Sequence, residues 1–270
     1  MDLFDLSDNK IKSAPLAERM RPTTLSEFIG QKHLLHNGSL LRRAIQADRL
    51  GSCIFFGPPG TGKTTLAGII AASTKSEFVK LNAVSSGVSD AKRVIEEATE
   101  RLRVYGKRTY LLLDECHRWN KAQSDCVLSA IETGSIIFIG STTENPFVSM
   151  TRAIVSRCRI FQLKPLTDNE IIEGLKRALT SPNGLKDFSL DIKDEAYRHF
   201  AWVANGDLRN AYNALELAVM TTPPSENGTI VIDKEVAQES TQQRVLSIDD
   251  NMYYDMLSAF CNSLRGFDPD

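Results

Sequence analysis

Gly57 to Thr64, GPPGTGKT, is the stretch with the clearest chemistry in the sequence. Gly57, Gly60 and Gly62 leave the backbone free to wrap an anion with successive N–H groups pointing inward. Lys63 brings a point charge for the β- and γ-phosphates of a nucleotide, and Thr64 offers a hydroxyl to a magnesium ion. Pro58, Pro59 and Thr61 shape the loop, and Thr65 continues into a helix whose dipole adds to the attraction for a polyphosphate. A second pair follows in LLLDE: Asp114 ends an apolar run, placed to hold magnesium through water, and Glu115 is placed to polarise an attacking water. A carboxylate pair at a strand end can also be a solvated turn. Beside the phosphate loop, hydrolysis of a nucleoside triphosphate is the reading that uses both.

These groups need buried strands that end at one edge. CIFF leads into Gly57, and FVKL, TYLLLD, IIFIG and RCRIFQL follow as short continuous apolar runs, the pattern of parallel strands covered on both faces. Between them LLRRAIQADRL, GKTTLAGIIAAST, SDAKRVIEEATERLRVYG and KAQSDCVLSAIETG read as helices. Together they predict an α/β, doubly wound, five-stranded parallel sheet. Thr167 or Asp168 can cap the next helix. From there the pattern is helical, with one short extended piece at TIVID, so a small helical lid domain is expected after the sheet. The final segment places Tyr253, Met256, Leu257, Phe260 and Leu264 at helical spacing.

Composition narrows the class. Hydrophobic residues make up 42% and charged residues 24% of 270, an ordinary globular balance, and no stretch is apolar for long enough to span a bilayer. The five cysteines, Cys53, Cys116, Cys126, Cys158 and Cys261, form no C-x-x-C pair, which argues against a zinc site or a disulfide framework and fits a reducing cytosol. Net charge is −2, but residues 1–165 hold 23 Lys+Arg against 16 Asp+Glu, whereas residues 166–270 hold 9 against 18. The basic first part is compatible with a nucleic-acid partner or with a plain solvated surface.

One spelling needs an answer. Asp114, Glu115, Cys116 and His117 read D-E-C-H, the second motif of a large class of helicases, and Ser141-Thr142-Thr143 is close to the S-A-T of the same class. That class requires a second P-loop-like domain with an arginine-rich motif. The residues after 165 are mostly helical and acidic and carry no such cluster. His117 lacks the partners of a metal site, so a supporting structural role is expected for it.

The motifs GPPGTGKTTLA, LLLDECHRWNK, FIGSTTENPF and SRCRIF, in this order, resemble the AAA+ ATPases in the branch of clamp loaders and Holliday-junction motors. PLAERMRPTTLSEFIGQKHLL, NAVSSGV and TTENPF narrow the likeness to the replication-associated recombination protein A family, with the Werner-helicase-interacting protein as its eukaryotic relative. The resemblance implies an ATPase with ATP and Mg2+ as cofactors, working on forked or single-stranded DNA in fork maintenance, recombination and repair. It implies a cytoplasmic, nucleoid-associated protein, a homo-oligomer (a tetramer in full-length relatives) and a single-strand-binding or replisome partner. Residue by residue, Phe28, Ile29, Gly30 and Gln31 match the segment that frames adenine. Thr143 matches the sensor-1 position with Asn145 as the nearby alternative, Arg157 the arginine finger that reaches a neighbour's ATP, and Arg209 the sensor-2 arginine of the lid.

Cys116 and Trp119 depart from the family pattern while keeping apolar side chains. The implied boundaries are a leader at 1–14, an AAA+ core at 15–165, a lid at 166–246 and, at 247–270, the start of a C-terminal helical domain expected to be cut short. NAVSSG and the helix bearing Lys92, Arg93, Arg101 and Arg103 are candidate phosphate contacts. A clamp-loader subunit, a Holliday-junction motor and a switch module that binds ATP without turnover are the competing readings.

Overall fold

The architecture comes from a computed structural model that describes residues 14–74 and 76–241. The expected leader, all but its last residue, and the apolar face from Tyr253 to Leu264 lie outside the described residues.

Five strands form one parallel sheet: β1 (Cys53–Phe56), β2 (Glu77–Asn82), β3 (Thr109–Asp114), β4 (Ile136–Thr142) and β5 (Arg159–Gln162), in the order β2-β3-β4-β1-β5. All five match runs expected from sequence; burial explains the inner three, whereas the edge strands β2 and β5 are largely half-buried or exposed. β4 is covered along its whole length and β3 for all but its last residue, so apolar side chains on both faces are stabilised. Register puts Asn82 of β2 opposite Asp114 of β3, and Asp114 opposite Ser141 of β4. The carboxyl ends of three neighbouring strands therefore meet at one edge.

Helices cover both faces. α1 (Leu16–Arg19), α2 (Lys32–Leu35) and α3 (Leu40–Gln46) precede β1, and α4 (Lys63–Ser73) leaves the phosphate loop. α5 (Val88–Tyr105) and α6 (Lys121–Thr133) pack on the opposite face from α4. α6 shows how the local sequence sets an element. The Asn120 side chain accepts from the N–H of Gln123 while Gln123 accepts from the N–H of Asn120, and Gly134 closes the helix in a left-handed conformation at φ 73°. Two short helices, α7 (Pro146–Ser149) and α8 (Arg152–Val155), bridge β4 and β5.

After β5 come α9 (Asp168–Thr180), α10 (Asp194–Ala204), α11 (Leu208–Thr221) and α12 (Lys234–Glu239), with Thr167 as the cap of α9. The single extended piece read at TIVID has a partner that the sequence reading missed. β7 (Ile230–Ile232) pairs in parallel with β6 (Leu190–Ile192), a strand of three residues whose half-exposed side chains give no run to recognise. These helices share a core of their own, centred on Leu175, Phe200, Ala201 and Leu215. α1 joins that core although it precedes the sheet in sequence: Leu16 and Met20 are buried in it. Arg19 ion-pairs with Glu216 at 2.8 Å, and the Leu16 N–H donates to the other oxygen of that carboxylate. No helix among the described residues is long and apolar enough to cross a membrane.

Candidate active site

A cleft of about 580 Å³ lies where the sheet edge, the segment before β1 and the late helices meet. Its floor is the loop from Pro59 to Thr64 between β1 and α4; Gly57 and Pro58, expected at the site from sequence, do not line the cleft and instead accept from the Lys63 ammonium. Gly57 and Gly60 hold φ of 149° and 70°, and a Cβ there would collide with the Leu163 carbonyl or with Asp207. Thr61 is buried and donates from its hydroxyl to the Pro58 carbonyl at 2.9 Å.

Lys63 is the charge at the centre of this floor. Its ammonium donates to the carbonyls of Gly57 at 2.7 Å and Pro58 at 2.8 Å, and only 8% of the residue is exposed. Burial pushes the ammonium down to about 8, while Glu115, Asp114 and Asp207 pull it back up and Arg209 adds to the depression. A consequence is measurable. Polyphosphate needs the charged form, so affinity for ATP should be flat below pH 7 and fall above pH 8, towards ~tenfold per pH unit, with uptake of a proton on binding. Calorimetry in buffers of different ionisation enthalpy at pH 7 and pH 9 checks this; equal proton uptake at both would contradict it.

Asp114 ends β3 among oxygen and nitrogen donors. Thr64 donates its hydroxyl to both carboxylate oxygens, at 3.2 and 3.3 Å, Ser141 donates to one of them, and Lys80 stands 3.7 Å from the other. A carboxylate and a hydroxyl are the hard oxygen ligands that suit magnesium beside phosphate. Glu115 follows in a left-handed conformation, φ 55°, rare for a residue with a side chain and costing about 1 kcal/mol. This turn swings its carboxylate out of the strand line, 37% exposed, and into the cleft wall.

Of the other sequence-predicted residues, Ile29, Pro59, Gly60, Thr61, Gly62, Thr65, Thr143 and Arg209 all line the cleft. Gln31 does not. It is 4% exposed, and its amide both donates to and accepts from the backbone of Lys164, at 2.7 and 2.9 Å. Asn145 also stands off the cleft and caps α7 by accepting from the Phe147 N–H at 3.0 Å. Arg157 lies outside the cleft of its own chain, with its guanidinium on Glu132 and on the Ala153 carbonyl. Sequence reading missed Lys80 and Ser141, which reach the site only because β2 and β4 flank β3, and took Asn82 only as part of the NAVSSG candidate for a nucleic-acid contact. It also missed Tyr212, whose hydroxyl is pushed up to about 12 by burial and donates to the Gly174 carbonyl at 3.3 Å.

The supporting residues have settled roles. Cys116 and Trp119 are buried in the apolar cluster beneath the site, as their sequence reading expected, and burial raises the Cys116 thiol. Cys53, Cys116, Cys126 and Cys158 are free thiols, and no metal-binding cluster exists among the described residues. Of the candidate phosphate contacts, Arg93 sits 3.7 Å from Asp90 and Arg101 donates to Thr109 at 2.8 Å.

Known proteins match this arrangement. A family model described as the Holliday junction DNA helicase RuvB P-loop domain matches residues 20–153, and one described as AAA C-terminal domain matches residues 186–265. Replication-associated recombination protein A of Bacillus subtilis is 46% identical over 257 residues, 94% of this chain and 60% of that protein. The protein of the same name from Haemophilus influenzae is 42% identical over 270 residues, 99% of this chain and 60% of the relative. The ATPase WRNIP1 of Dictyostelium discoideum is 40% identical over 281 residues, 97% of this chain and 32% of that protein. The chain thus spans about 60% of the length of the first curated relatives it matches. Among solved structures, the Thermotoga maritima RuvB Holliday junction branch migration motor superposes with a TM-score of 0.63 at 27% identity, covering 87% of this chain and 75% of that one. The chain belongs to the replication-associated recombination protein A family of AAA+ ATPases.

Proposed function

We propose that the chain hydrolyses ATP with Mg2+ and uses the cycle to act on DNA in replication-associated recombination and repair. The observation that carries the reading is the convergence of Lys63, Asp114, Glu115, Thr143 and Arg209 on one cleft built from sheet, loop and late helices. Lys63 and the loop N–H groups hold the β- and γ-phosphates. Thr64 and Asp114 would hold Mg2+, which when bound spreads the charge of the phosphates. Glu115 takes a proton from the attacking water, and Thr143 orients that water against the γ-phosphate. Ile29 contacts the base, while Gln31, fixed to Lys164, holds the Ile29 segment in place, and Asn145 holds the turn after Thr143. Arg209 stands on α11, so the phosphate pulls the late helices towards the sheet. Arg157 serves the ATP of a neighbouring copy in a homo-oligomer.

The DNA part is supported by the relatives' names and by charge. Between residues 28 and 76 Asp48 is the sole acid, and residues 145–167 contain none, so the outer edge at α2, α3 and β5 is basic. The test is phosphate release by the 270-residue chain with and without forked DNA. Stimulation by the fork at low salt, fading as salt rises, is the expected outcome. A chain that binds ATP yet never releases phosphate would be a switch module instead.

A second reading, a branch-migration motor, is favoured by the match to the RuvB P-loop domain and by the structural likeness to that motor. ATP-driven movement of a four-way junction would decide for it.

A further inference from the structure

We infer that His117 is a positioning residue that ties the Glu115 carboxylate to the end of β4, so that a shift of Thr142–Glu144 resets the group facing the attacking water; this rests on the hydrolytic reading above. His117 stands on the single 3-10 turn, Cys116–Arg118, that follows Glu115, and its side chain is only 5% exposed. Its Nδ1 lies 2.8 Å from the Thr142 hydroxyl oxygen and 3.5 Å from Glu115 Oε2, while Nε2 lies 3.4 Å from Glu144 Oε1. The imidazole is thereby the meeting point of two strand ends, β3 through Glu115 and β4 through Thr142. The Thr142 oxygen also accepts from the Glu144 N–H at 3.0 Å, so Thr142, Thr143 and Glu144 shift together.

Glu115 needs such a neighbour. Its left-handed backbone fixes the direction of the Cα–Cβ bond but leaves three side-chain torsions free. Among the described residues, His117 is the one basic side chain within 4.0 Å of its carboxylate. A general base displaced by ~1 Å can lose ~10²-fold in rate, so a single orienting contact is enough to matter.

The Thr142 hydroxyl gives the tie two positions. When it turns its hydrogen towards His117, Nδ1 must accept, the ring proton sits on Nε2 and points to Glu144, and nothing is donated to Glu115. When it turns away, Nδ1 carries the proton and can donate towards Thr142 and Glu115 together. Glu144, half exposed on the surface next to Thr143, is the end of the chain that a neighbouring copy or a bound strand can reach.

The experiment compares the full chain with His117→Ala, His117→Asn, Thr142→Val and the double variant His117→Ala/Thr142→Val. Readouts are kcat, ATP affinity, melting temperature and the 15N resonances of the His117 ring. His117→Ala should lower kcat at least ~tenfold with ATP affinity changed by less than about twofold. His117→Asn, whose side-chain amide reaches the Nδ1 position, should recover kcat to within about threefold of the parent. Thr142→Val should add little to His117→Ala, because both cut the same link. In the nucleotide-free chain, Glu115→Gln and Thr142→Val should each move the Nδ1 resonance.

An unchanged kcat in His117→Ala overturns the inference, as does an equal fall in the Ala and Asn variants that tracks their melting temperatures, the mark of mere hole-filling. So does an Nδ1 resonance indifferent to Glu115→Gln. Should the parent chain release no phosphate, the hydrolytic reading fails, and the resonance shifts alone decide whether the tie exists.

Discussion

Glu115→Gln is expected to keep ATP bound while kcat falls by at least ~10²-fold, the usual contribution of a positioned general base. The amide has the size and shape of the carboxylate but cannot accept the proton of the attacking water. No hydrogen bond of the phosphate loop runs to Glu115, since Lys63 is held by the Gly57 and Pro58 carbonyls and Asp114 by Thr64 and Ser141. Affinity should hold within a few-fold, because removing a negative charge beside a polyphosphate lessens repulsion while Lys63 loses one of the carboxylates that keep it charged. Phosphate release under saturating ATP, paired with titration of a fluorescent ATP analogue, measures both quantities. Hydrolysis within threefold of the parent would remove Glu115 from the role of base.

Arg157→Ala should be as damaging for a different reason. A guanidinium aimed at the γ-phosphate in the transition state is worth ~10³–10⁵ in kcat. In its own chain Arg157 is remote from the cleft and rests on Glu132, a pair 37% and 49% exposed. Losing an exposed pair of that kind costs folding ~0–1 kcal/mol, so the variant should melt like the parent. In the proposed assembly the loss falls on a neighbour's site, and mixing tests it. Arg157→Ala and Glu115→Gln proteins should each be nearly inactive, yet a random equimolar mixture pairs an intact base with an intact arginine at about a quarter of head-to-tail interfaces. Recovery of activity on mixing is the expected result. A mixture that assembles but stays inactive would place Arg157 outside the reaction.

Much of this site was legible in the sequence, and what was not has a common cause. The inner strands β1, β3 and β4 declared themselves because they are buried almost throughout and read as unbroken apolar runs. The phosphate loop did so because its glycines, lysine and threonine sit within eight consecutive residues. Lys80 and Ser141 come to Asp114 from different strands, and only the order β2-β3-β4 makes them neighbours. The β6 strand escaped notice because three half-exposed residues have no period to detect. In the structure the D-E-C-H spelling parts into unlike roles: two carboxylates at the cleft, a buried thiol, and an imidazole turned towards β4.

The contact between α1 and the late helices has a consequence for how the chain is made. Leu16 and Met20 leave the ribosome long before the side chains that will enclose them, and the Arg19–Glu216 pair closes a loop that contains the whole sheet. Contacts so distant along the chain come late and at a high entropic cost, so the sheet is expected to be assembled first and the late helices to be sealed last. It follows that the two halves are not separable goods. A protease cut or an expression boundary placed at residue 166 would strip the late helices of two of their core side chains and leave the same side chains uncovered on the other fragment.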